Sequence, residues 1–161
     1  MNTIKDLKNF YEEIGIELCP YKKETIETAI QKCGTLPDIL IQYYETIGSL
    51  IDENEDALED FPFDIMAPFE LHEIYRGRGQ DEYEEYIKIA EEIHGSIEFV
   101  VKKSELSLAD PDIYICGDTF IDEMKKQDRL YVSAKSVGET QIKTLWLLLI
   151  AIAKDVQTHI N

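Results

Sequence analysis

Cationic side chains are scarce in this chain: 16 lysines and arginines stand against 33 aspartates and glutamates, giving a formal charge of −17 at pH 7. A field of that sign repels phosphate backbones and anionic lipid headgroups, so nucleic acid and membrane surfaces are poor partners. Cysteine is sparse too. Cys19, Cys33 and Cys116 are odd in number and widely spaced, which fits neither a disulfide framework nor a zinc site and predicts buried reduced thiols. Long hydrophobic runs are absent: the strongest, Leu145 to Ala153, covers nine residues, where a bilayer crossing needs about twenty, so it is expected inside the protein. The opening Met-Asn-Thr-Ile-Lys-Asp reaches an acid at once and builds no apolar signal-peptide core, from which a cytoplasmic location is expected.

What is present suits a folded protein. Of the 161 residues, 44% are apolar and 30% charged, enough aliphatic surface to offset the entropy of folding, and no repeat, low-complexity stretch or linker divides them. A single domain over residues 1–161 is expected. Its negative charge either keeps it soluble or attracts a basic protein, an attraction that speeds association and weakens with salt.

Periodicity predicts helices in the first part of the chain. Ile4, Leu7, Tyr11 and Ile14 form one stripe between a capping Thr3 and Gly15. A second helix from about Glu24 carries Ile26, Ala29, Ile30 and Cys33 up to Gly34, with Cys19-Pro20-Tyr21 as the preceding turn. Leu36-Pro37-Asp38 opens a third, with proline at its first position and Ile39, Leu40, Tyr43, Tyr44 and Ile47 on its stripe before Gly48. Tyr43 and Tyr44 are expected in the core, whereas Tyr83 could anchor a partner. Pro68 predicts a short helix through Leu71, Ile74 and Tyr75, closed by Arg76-Gly77-Arg78-Gly79.

Later segments read as strands: Ile97 to Val101, Ile113 to Cys116 and Arg129 to Ala134. Tyr83 to Ile93 fits either a helix or a strand, and periodicity alone favours the helix. After Gly138 a final helix, apolar on nearly every side, is expected to be buried, its surface facing either its own core or a second copy in a homodimer.

The stretch from Asp52 to Asp64 is predominantly acidic, and its self-repulsion predicts an exposed loop. Asp52, Asn54 and Asp56 alternate like the first ligands of a calcium loop, but Ala57 replaces the turn glycine and Phe63 the closing glutamate. No cofactor or metal is expected. The Arg76–Gly79 turn lacks the third glycine or Walker lysine of a phosphate cradle. His72, His94 and His159 are scattered, and pairs such as Glu91 and Glu92 or Asp110 and Asp112 are too common in so acidic a chain to mark acid–base chemistry.

Two segments resemble the SUKH superfamily, which includes yeast cell-wall-assembly regulators and many bacterial immunity proteins. One is LPDILIQYYETIG, similar to the Leu-Pro opening a helix that ends in an aromatic residue and glycine; the other is YIKIAEEIHGSIEFVVKKSELSLADPDIYI, similar to the family's strand, turn, strand, Asp-Pro and strand. Ile93-His94 departs from the common Asn-Gln pair, and no tryptophan follows the Ile113–Cys116 strand. The resemblance implies a strand for Tyr86 to Ile93, and Asp110-Pro111 leading into the next one. It also implies a cytoplasmic antitoxin that covers the functional surface of a nuclease or deaminase toxin. Such members mostly have no known catalytic residues, so none is carried over.

The expected fold is therefore α+β, SUKH-like: N-terminal helices on a mainly antiparallel (mixed) sheet, with a buried C-terminal helix. The expected activity is non-enzymatic binding of a basic protein through Asp52, Glu53, Glu55, Asp56, Glu59 and Asp60, joined by Glu91 and Glu92 on a neighbouring edge. A regulatory or scaffolding module for an endogenous protein is the alternative.

Overall fold

A computed structural model describes residues 1–52, 61–71, 85–92 and 97–161. Helix α1 (Ile4–Glu13) starts at a capping box: the Thr3 hydroxyl accepts the Asp6 N–H at 3.2 Å, and the Asp6 carboxylate accepts the Thr3 N–H at 3.0 Å. Strand β1 (Ile16–Cys19) follows, then α2 (Lys23–Cys33) and α3 (Asp38–Thr46). Pro37 sits one position before the first helical residue, and its carbonyl accepts the N–H groups of Leu40 and Ile41.

Gly48 turns the chain from α3 into β2 (Ser49–Asp52), which pairs antiparallel with β1. Its φ is +69°, and a Cβ there would lie 1.9 Å from the Cys19 carbonyl oxygen, so only glycine lets the two backbones meet. These two short strands replace the turn expected at Cys19 and the loop expected at Asp52.

The second sheet has the order β3-β4-β5-β6-β7, with every neighbouring pair antiparallel. Its strands are β3 (Phe63–Ile65), β4 (Tyr86–Glu92), β5 (Ile97–Lys102), β6 (Tyr114–Cys116) and β7 (Val132–Ser133). The ambiguous Tyr83–Ile93 segment is thus a strand from Tyr86 to Glu92. The Arg129–Ala134 strand shrinks to two residues because α4 (Ile121–Gln127) precedes it and Asp128, in the left-handed region at φ 51°, has still to turn the chain. The helix expected at Pro68 is, within the described residues, one 3-10 turn over Pro68–Glu70.

One core cluster joins the helices to the inner face of this sheet. Leu7, Tyr11, Leu40, Tyr43 and Tyr44 pack in it with Ile87, Phe99, Ile115 and Val132, and α5 (Leu145–Ile160) contributes Leu145, Leu148, Leu149, Ile152, Ala153 and Val156. The expected α+β architecture is the observed one. The start of α5 is fixed twice over: Thr144 accepts the Leu147 N–H at 3.4 Å, and the Asp110 carboxylate accepts the Trp146 N–H at 2.8 Å. No helix among the described residues is long and apolar enough to cross a membrane. The cysteines are free but not buried: Cys19 is exposed on an outward position of β1, while Cys33 and Cys116 are half-buried.

Candidate functional site

The outer face of the five-stranded sheet is set by a bulge. Register shifts between Lys88 and Ala90, so Ile89 and Ala90, both fully buried, turn inward in succession. Without that extra residue, simple alternation from Lys88 would send Glu91 into the core and Glu92 outward. With it, Glu91 shares the outer face with Tyr86 and Lys88, and Glu92 lies on the inner face beside Phe63 and Ile97 at the rim.

Glu91 thereby joins a row of carboxylates. Asp64 of β3 is its register partner on one side and Glu98 of β5 on the other. Like charges directly opposite each other across strands destabilise a sheet. Here Lys88 holds them together, 2.6 Å from Glu91 and 3.8 Å from Glu98, and the Tyr131 hydroxyl donates to Glu98 at 2.8 Å. Behind the row, Tyr86, Val100 and Tyr131 form a second small apolar cluster, with Tyr86 and Tyr131 ring centroids 4.8 Å apart. The cations of this area are engaged: Arg129 lies 3.5 Å from Glu85, and the Lys102 ammonium lies 4.7 Å over the Tyr114 ring.

β3 is the edge strand among the described residues, and between it and β2 opens a cleft of about 320 Å³. Phe61, Phe63, Leu50 and Ile152 form its apolar walls; Tyr21, Tyr43, Ser49, Asp64 and Glu70 supply polar groups. Among the described residues of the lining two are acidic and none is basic. Burial, followed by the neighbouring carboxylates of Glu70 and Glu91, raises the Asp64 pKa above the ordinary carboxylate range, against a smaller opposite effect from Lys88. The Glu70 carboxylate accepts the Ala67 N–H at 2.7 Å, which anchors it on the 3-10 turn.

The tyrosines of the cleft are held rigidly. Tyr21 stands edge-on to Tyr44, centroids 5.6 Å apart, and the Tyr44 hydroxyl donates to the Met66 carbonyl at 2.7 Å. Burial, and then the Glu70 charge, raises the Tyr21 pKa. Tyr43, only 1% exposed, is buried with its phenol hydroxyl against that of Tyr11, and neither hydroxyl reaches any other partner among the described residues. Burial raises the pKa of Tyr11, Tyr43 and Tyr44 alike.

Of the residues expected to bind, Glu53, Glu55, Asp56, Glu59 and Asp60 lie outside the described residues, as do Asn54, Tyr83, His72, His94 and the Arg76–Gly79 turn. Asp52 closes β2, paired with Ile16. Glu91 and Glu92 do not share a surface, and β4 is an interior strand rather than an edge. Asp64, Glu70 and Glu98 were not expected at a site; the Phe-Asp-Ile and Ile-Glu-Phe alternations were their signal. Asp110 caps α5 and Asp112 pairs with Lys135 at 2.7 Å, which gives both a structural role. His159 lies beside Phe61, ring centroids 5.7 Å apart. Among the described residues no three of His, Cys, Asp and Glu are grouped as metal ligands. Set beside protein-family models, curated proteins and solved structures, the chain matches none of them.

Proposed function

We propose that this protein binds without catalysis, neutralising a cognate bacterial toxin of the nuclease or deaminase type by covering its basic functional surface in the cytoplasm. The observation that carries this reading is the Asp64–Glu91–Glu98 row. A sheet that aligns three carboxylates across neighbouring strands forfeits stability, and a cationic counterpart returns it on binding. The charge of −17 extends the same field over the whole molecule, steering a basic partner and opposing phosphate and membrane surfaces. Proteins that cut or modify nucleic acid commonly carry basic grooves, and the two SUKH-like segments agree with an immunity role.

The test is affinity capture from the native cells at low and high salt, followed by an assay of the captured protein. A basic protein whose activity against nucleic acid is lost at one equivalent of this chain supports the reading. Salt-insensitive capture of an endogenous protein with no such activity favours the regulatory or scaffolding alternative and refutes neutralisation.

A further inference from the structure

Lys88 makes a contact that only the bulge in β4 allows. In an unbroken strand, residues three apart point to opposite faces; the extra residue at Ile89 puts Lys88 and Glu91 on the same one. There the Lys88 ammonium lies 2.6 Å from the Glu91 carboxylate and 3.8 Å from that of Glu98, which stands diagonally across on β5, two residues from the register partner Val100. Its charge also reaches Asp64, where it favours the ionised carboxyl against the opposing effect of Glu70 and Glu91. One ammonium thus serves three carboxylates. The side chains of Lys88, Glu91 and Glu98 are 28%, 34% and 23% exposed, so the contact is more sheltered than an ordinary surface pair yet open to a molecule that approaches the face.

From this geometry we infer that Lys88 is a tethered competitor, which occupies the acidic row in the free protein and gives way to the clustered cations of the basic partner; the inference rests on the binding function proposed above. An ammonium carried on the same chain acts at a high effective concentration, so a lone cation from solution displaces it poorly. A partner that presents several guanidiniums together overcomes it, because each forms paired hydrogen bonds with a carboxylate that an ammonium, a compact point charge, does not. The apparent affinity falls with the fraction of molecules whose row is open, and that reduction sets the charge density a partner must carry. Lys88 is therefore a specificity-determining residue: it works against weakly basic partners rather than for the strongly basic one.

The experiment titrates the intact protein, labelled with ¹⁵N and with ¹³C-lysine, with an acetylated tetra-arginine amide, and repeats the titration with Lys88→Met, Lys88→Arg and Lys126→Met. Lys126, 77% exposed and 3.8 Å from Glu123 on α4, controls for the loss of one positive charge. In the wild type the Lys88 ε-carbon signal should move in step with the amides of Asp64, Glu91 and Glu98, while the Lys126 signal stays in place. Lys88→Met should bind the peptide about fivefold more tightly, the worth of a surface ion pair at the upper end of its range. Lys88→Arg should bind no more tightly than wild type, and Lys126→Met should match it. An unmoved Lys88 signal at saturation, equal or weaker binding by Lys88→Met, or the same tightening in both methionine variants would each overturn the inference. The wild-type signal decides it even where Lys88→Met fails to fold. Shifts at Asp64, Glu91 and Glu98 with Lys88 unmoved discard the competitor and leave the row as a binding surface, whereas no shift at those amides in any of the four proteins overturns both. Displacement of Lys88, with no partner active on nucleic acid captured from the cells, refutes neutralisation and keeps the competitor.

Discussion

Asp64 and Glu91 face each other directly across the β3–β4 pair, two carboxylates at one register position of the sheet. Such an arrangement costs stability, and Asp64 shows it: burial and the charges of Glu70 and Glu91 favour its protonated form. A carboxylate kept where the fold disfavours it points to a demand other than folding.

Asp64→Asn is therefore expected to leave the protein at least as stable at neutral pH, by up to about 0.5 kcal/mol given the solvent access of this edge. The sign follows from linkage. With its folded pKa above the unfolded value, Asp64 binds protons more readily in the folded state, so its contribution declines as pH rises through that interval. The advantage of the asparagine should vanish below about pH 3.8, where the carboxyl is neutral in both states. Urea titrations of both proteins across that range check this.

Tyr43 and Tyr44 are neighbours with different hydroxyl partners, the Tyr11 phenol and the Met66 carbonyl. Tyr44→Phe removes the bond to the Met66 carbonyl and is expected to cost about 1 kcal/mol, whereas Tyr43→Phe removes a hydroxyl that faces only the Tyr11 hydroxyl and should cost less. Chemical denaturation of the two single variants separates them.

Three buried phenols also set an alkaline limit. Tyr11, Tyr43 and Tyr44 resist ionisation when folded, so their contribution is complete below the unfolded value of 10.0 and is lost progressively above it. Melting temperature should fall steeply above about pH 10. The tyrosinate absorbance of those residues should appear only with unfolding.

Gly48→Ala is expected to be the most damaging of these changes. Its Cβ would collide with the Cys19 carbonyl at a backbone angle of φ +69°, so the loss should exceed about 2 kcal/mol and separate β1 from β2. Circular dichroism during thermal unfolding reads the effect.

At the N-terminus of α5, Asp110→Ala removes the acceptor for the Trp146 N–H and should cost about 1 kcal/mol, with a change in Trp146 fluorescence. Denaturant titration followed by that fluorescence checks it.

Much of the architecture was legible because it is local. The Ile4-Leu7-Tyr11 stripe with its Thr3 cap, and the stop signals at Gly34 and Gly48, are properties of neighbouring residues, and the helices follow them. What failed was short or decided at a distance. Four residues, Ile16 to Cys19 or Ser49 to Asp52, give too little alternation to declare a strand until each finds the other. Phe63-Asp64-Ile65 was masked by surrounding acids, though its two apolar residues face the core. The faces of Glu91 and Glu92 depend on a single bulged residue, Ile89, which the run Tyr86 to Glu92 does not announce. Asp110 as a cap, and Asp64 beside Glu70, exist only once separate elements meet.

The central claim is that the acidic row recognises a cationic surface. Its most direct test compares wild-type protein with the triple variant Asp64→Asn, Glu91→Gln, Glu98→Gln for affinity toward the captured basic partner, measured by calorimetry over a series of salt concentrations. The account predicts tight, salt-sensitive binding by the wild type, and weaker binding with a shallower salt dependence by the variant. Equal affinity and equal salt dependence in the two proteins would contradict it.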